Sequence, residues 1–143
     1  MKTDKKTYYG SKIIYAEPMT RGDYNNHRGW TIPLDENPHD PGYLVEYEDG
    51  GYITWSPADV FERAYFPLGV TEKMADWQVR LQAEYVQLHD RLTKLQGYLG
   101  SLKFSALKPH EKALLIQQET AMMVYANILK ERVQSLPTAP SGS

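Results

Sequence analysis

The architecture turns on Met74-Ala-Asp-Trp-Gln-Val-Arg-Leu81-Gln-Ala-Glu-Tyr85-Val-Gln-Leu88-His-Asp-Arg-Leu92-Thr-Lys-Leu95-Gln-Gly-Tyr-Leu99. Met74, Leu81, Leu88 and Leu95 fall seven residues apart, and Tyr85, Leu92 and Leu99 make a second seam position with Gln78 as its polar member. An apolar repeat averaging about 3.5 residues keeps one stripe of an α-helix facing a partner. The spacing predicts one helix of about four heptads, starting near Thr71 and ending near Gly100. Residues 101–108 read as a connector, and Pro109 with Glu111 opens a second helix, because proline at the first helical position forfeits no backbone bond. In that helix Leu115, Met122, Leu129 and Leu136 form one seam position, and Gln118, Tyr125 and Arg132 form the other. Two helices of similar length joined by a short connector fold back antiparallel.

Upstream the pattern changes. Six of the nine prolines lie in residues 1–70, which marks that half as strand and loop. Residues 11–16, Ser-Lys-Ile-Ile-Tyr-Ala, are a β-branched and aromatic run. Tyr43-Leu-Val-Glu-Tyr47 and Tyr52-Ile-Thr-Trp55 flank Asp49-Gly50-Gly51, whose glycines suit a hairpin turn. Between the first strand and this hairpin, residues 20–42 are long for a connection in a compact domain and read as a packed irregular loop or a binding loop. Ser56-Pro57-Ala58-Asp59 reads as a helix start, with Val60, Phe61, Ala64 and Tyr65 as the apolar face. The expectation is therefore an α+β chain: a small antiparallel sheet with a short helix over 1–70, a helical hairpin over 71–136 and a frayed tail over 137–143.

Composition narrows the chemistry. The 143 residues suffice for one ordinary domain or two very small ones. Zero cysteines exclude disulfides, thiolate zinc sites and thiol nucleophiles. No apolar run approaches the ~18 residues of a membrane span, and the first residues lack the apolar core of a secretory signal, so the expected location is a cytoplasm. A net charge of −2 argues against duplex-DNA binding. The balance is uneven: residues 1–70 carry 11 acidic and 7 basic side chains, residues 71–143 carry 7 and 9. An anionic ligand would sit on the second half.

No catalytic, phosphate-loop or metal-binding motif appears, and His27, His39, His89 and His110 stand apart from one another. The expectation is a protein that is not an enzyme and uses no cofactor. The anomaly is Arg132 on a helical seam beside Tyr125 and Gln118. A buried guanidinium needs a counter-charge, either an acid of a partner helix such as Glu84 or Asp90, or a bound anion whose base it also stacks on. Phe104 in the connector and Tyr85 on the first helix are aromatics able to face it. Asn25-Asn26-His27-Arg28-Gly29-Trp30 offers hydrogen-bonding groups, a cation and an indole in one segment, either pinned by Trp30 into the sheet or touching ligand. Leu114, Ile116, Ala121, Met123 and Ile128 widen the apolar surface of the second helix beyond one seam, which predicts a homo-oligomer. Phe104 at the turn and Arg132 about 23 residues into a helix rising ~1.5 Å per residue meet only between chains.

The second half, from Arg80-Leu-Gln-Ala-Glu-Tyr85 through Leu92-Thr-Lys-Leu-Gln-Gly-Tyr98, Phe104-Ser-Ala-Leu107, Tyr125-Ala-Asn-Ile-Leu129 and Glu131-Arg132-Val133, resembles the helical hairpin of small phage proteins that block bacterial immune signalling by sequestering cyclic nucleotides. The first half, with Tyr9-Gly-Ser-Lys-Ile13, Glu17-Pro-Met-Thr-Arg-Gly22, Arg28-Gly-Trp30 and Trp55-Ser-Pro57, is similar to the sheet domain of the anti-Thoeris branch of these sponges. The resemblance covers residues 8–134. It implies a homohexamer that holds, in the host cytoplasm, the cyclic ADP-ribose isomer made by TIR-domain enzymes and does not cleave it. Cyclic trinucleotides at a separate site are a further implied ligand. The expected binding residues are Phe104 and Arg132, with Arg80, Tyr85, Gln118 and Tyr125 around them. The alternative is an adaptor that forms a helical homo-oligomer.

Overall fold

The computed structural model describes residues 4–48 and 50–136. The expected tail at 137–143 and Asp49 of the hairpin turn lie outside the described residues. The chain is α+β and divides into two compact units, Met1–Tyr65 and Phe66–Ser143.

The first unit contains a three-stranded antiparallel sheet in the order β1-β2-β3, with β1 at Ile14–Pro18, β2 at Gly42–Tyr47 and β3 at Ile53–Pro57. The first strand lies three residues later than its apolar run suggests. Its register pairs Ile14 with Tyr47 and Pro18 with Tyr43, and Pro18 is tolerated because β1 is an edge strand. Helix α1, Arg21–Arg28, occupies part of the expected loop. The Thr20 side chain accepts from the Asp23 amide at 3.2 Å, and Gly29 ends the helix at φ 75°, a conformation glycine adopts without strain. Helix α2, Ala58–Ala64, follows β3 directly. Ser56 does not cap it, because Ser56 is still paired with Tyr43 in the sheet.

Side chains tie these elements together. The Trp55 indole donates to the Met19 carbonyl at 2.8 Å and lies under the Arg21 guanidinium. It also fills the space in which a Cβ at Gly42 would fall. Arg21 donates twice to Glu36 at 2.8 Å, and buried Asn25 donates to the same carboxylate at 3.0 Å. These bonds hold the stretch after α1 in place and pull the Glu36 carboxyl down to about 2, the Arg21 contact acting most strongly and that of Asn25 next. Trp30 packs edge-on against Tyr24 of α1, under the Arg28 guanidinium, and remains half-exposed. On α2, Phe61 stacks on Tyr43 of β2.

The second unit is helical: α3 at Asp76–Leu99, α4 at Leu102–Ser105 and α5 at Pro109–Gln134. Helix α3 begins later than the heptad reading suggests, because the amide of Met74 bonds the Thr71 carbonyl in a turn and the amide of Ala75 is taken by the Gln78 side chain. The connector holds the short helix α4, capped by the Ser101 hydroxyl, which accepts from the Phe104 amide at 3.2 Å. Helices α3 and α5 pack against each other, the start of α3 beside the end of α5. On α3 the buried Leu81, Leu92 and Leu95 follow the expected seam, whereas Val79, also buried, lies one residue off it.

On α5 the seam is shifted by one residue. Lys112, Leu115, Glu119, Met122, Ala126, Leu129 and Val133 are the buried or part-buried positions, and Gln118, Tyr125 and Arg132 are exposed. Both phases fit a seven-residue repeat around Leu115, Met122 and Leu129. The phase carrying Ala126 and Val133 is the one that closes against α3, since it places small and apolar groups where the other places a phenol and a guanidinium. Arg132 therefore needs no buried counter-charge within the chain.

Candidate functional site

The shift leaves α5 with two stripes at heptad spacing. One faces α3. The other runs along Leu114, Gln118, Ala121, Tyr125, Ile128 and Arg132, all exposed. A helix that is apolar beyond the stripe its neighbour covers has more hydrophobic surface than its own unit uses.

Where the start of α3 meets the end of α5 the surface is concave. A groove of about 560 Å³ is lined by Trp77, Gln78 and Leu81 of α3 and by Ile128, Glu131, Arg132, Ser135 and Leu136 of α5 and the residues after it. The groove is open and shallow rather than enclosed, with room for one small molecule against its wall. Leu81, Ile128 and Leu136 supply an apolar floor, and Trp77 stands beside it 58% exposed. The Gln78 carbonyl is occupied by the Ala75 amide at 2.8 Å, which leaves its amide hydrogens as donors. Ser135 is turned into its own helix, its hydroxyl donating to the Glu131 carbonyl at 2.8 Å. Arg132 and the Glu131 carboxylate form no ion pair among the described residues. The lining thus offers an indole face, a forked cation and a carboxylate within one small unit.

The six expected binding residues are distributed unevenly around this groove. Arg132 lines it. Tyr125 and Gln118 lie on the same exposed stripe farther along α5, and Gln118 contacts the Met122 sulfur at 3.6 Å. Arg80 is exposed on α3, between groove-lining Gln78 and Leu81 but not itself part of the lining. Tyr85 is part-buried on the α3 seam, with its ring 6.0 Å from His89. Phe104 sits in α4 at the other end of the hairpin, edge-on to Tyr98 with the Lys112 ammonium over its ring. At ~1.5 Å per residue, the 23 steps from Pro109 to Arg132 set Phe104 and Arg132 roughly 35 Å apart along α5. One chain does not bring them together. The groove residue that sequence reasoning passed over is Trp77, which falls off the heptad seam. A large aromatic at a helix start, outside the core pattern, was the available signal.

Among the described residues no group of three or more His, Asp or Glu side chains is placed to hold a metal, and no helix is long and apolar enough to cross a membrane.

A family model described as Sequestin matches residues 75–135, the span of α3, α4 and α5. A protein of Enterobacteria phage T4, described as an uncharacterized 7.5 kDa protein in the denB-rIIB intergenic region, is 35% identical over 60 residues, which is 42% of this chain and 94% of that protein. No solved structure matches the chain.

Proposed function

The chain belongs to the Sequestin family, and from that premise we propose that it is a phage sponge: a non-enzymatic protein that binds a small immune signal and withholds it from its receptor. The observation that carries this reading is the coincidence of the family match with the helical hairpin, the unit that also holds the groove lined by Trp77 and Arg132. The ligand we assign is a cyclic adenine nucleotide, foremost the cyclic ADP-ribose isomer produced by TIR-domain enzymes, with cyclic trinucleotides as a second class. A planar base and a phosphate charge are what an aromatic face and a guanidinium recognise. The site of action is the host cytoplasm.

The exposed stripe of α5 supports self-association. An apolar row at heptad spacing that no element of its own unit covers suits another copy of itself, and we assign a homohexamer. In that assembly Phe104 of one protomer reaches the Arg132 end of another, and Arg80, Tyr85, Gln118 and Tyr125 line the approach. Calorimetry of the wild-type protein with cyclic ADP-ribose isomers, cyclic dinucleotides and cyclic trinucleotides tests the reading. Saturable binding is expected, weakened about ten- to a hundredfold by Arg132→Ala or Phe104→Ala, the effect of losing one stacked or charge-assisted contact, with the oligomer unchanged. Absence of binding across the panel would favour an adaptor that only assembles. Dissociation of the oligomer by Arg132→Ala would place the arginine in an interchain ion pair instead.

A further inference from the structure

The guanidinium of Arg132 has an aromatic companion within its own chain, and it is not among the residues that the heptad pattern singles out. Trp77 stands on the first turn of α3, lines the same groove as Arg132 and keeps more than half of its surface exposed. An indole is a large apolar group, and leaving it in water is unfavourable by the burial energy it forgoes. It fills no core here: Leu81 and Leu129 close the seam without it. Nor is it held by a hydrogen bond or ring contact among the described residues. What remains is an exposed π-face that lines the same open groove as a guanidinium and the apolar side chains of Leu81, Ile128 and Leu136.

We infer that the groove at the open end of the hairpin is a nucleotide subsite in which Trp77 is the stacking platform for a purine while Arg132 of the same chain meets the phosphate. The inference rests on the sponge reading and deepens it, since it names the residue that grips the base. Glu131, an acceptor only, and the Gln78 amide, a donor only, give the rim one group of each kind for the base edge or the ribose. Leu81, Ile128 and Leu136 add apolar surface to the same lining. Each protomer thereby carries its own base platform. Phe104 from another protomer adds a second aromatic and does not substitute for the first.

The test uses the full chain with cyclic ADP-ribose and a cyclic triadenylate as probes. Trp77→Ala is expected to weaken the tighter of the two by about ten- to a hundredfold, the range for one stacked base. Helix content and oligomer mass should stay as in wild type, because the side chain is exposed. Trp77→Phe retains a stacking face and is expected to recover most of the affinity. Ligand should quench the tryptophan emission of the wild type and leave that of Trp77→Phe unchanged. Wild-type affinity in Trp77→Ala, or a quench that persists in Trp77→Phe, overturns the inference while leaving the sponge reading intact. A change of oligomer mass in Trp77→Ala also overturns it, by making Trp77 an interface residue. Failure of the wild type to bind either probe overturns both.

Discussion

Glu36 shows how one side chain fixes a segment without regular structure. Its carboxylate receives both ends of the Arg21 fork and the amide of buried Asn25, and these contacts pull its pKa from the usual 4.5 to about 2. A carboxyl that ionises more easily when folded stabilises the fold above its unfolded value, and that contribution is lost as pH falls through the folded one. The window runs from about 4.5 down to about 2. Thermal melts across that window should show the midpoint of the wild type falling more steeply with acid than that of Glu36→Gln, which has no charge to lose. Parallel slopes would mean that the Arg21 and Asn25 contacts do not persist in solution.

Leucines of α5 have opposite duties, and the element as a whole explains why. Leu129 is 1% exposed on the stripe that meets α3, whereas Leu114 is 51% exposed on the other stripe. Leu129→Ala should cost ~2–5 kcal/mol of stability, the usual range for a truncated core leucine, read as a shifted denaturant midpoint. Leu114→Glu should leave helix content unchanged and lower the oligomer mass measured by light scattering. A wild type that is already monomeric at micromolar concentration would remove the interchain site with it. The same element shows where sequence reading stops. The long α3 was legible because its leucines recur on one stripe, with the buried Val79 alone among its buried residues lying off it. Helix α5 is apolar around much of its circumference, so two phases fit, and Arg132 was read as a buried anomaly when it is an exposed groove residue. Helix α1 was hidden by composition: Asn25, Asn26, Asp23 and Gly22 all disfavour helix interiors, and the Thr20 cap with the Gly29 stop was the readable sign. Strand β1 slipped because its limits are set by where β2 ends, a partner's property that no local pattern carries.

Across the whole molecule, the surplus of basic side chains falls in the half that carries the groove proposed as the ligand site. The acidic excess lies in the first seventy residues and the basic excess in the rest, and the groove lined by Arg132, which forms no ion pair among the described residues, belongs to the helical unit. A sponge differs from an enzyme in what it returns. Binding without preferential stabilisation of a transition state leaves the ligand chemically unchanged. The most direct measurement is recovery: saturate the protein with the TIR-derived cyclic ADP-ribose isomer, remove free ligand, unfold the protein by heat and quantify the released nucleotide by mass and by its power to activate its receptor. The sponge account predicts a stoichiometric return of intact, active ligand, whereas a linear or hydrolysed product, or no captured ligand at all, would contradict it.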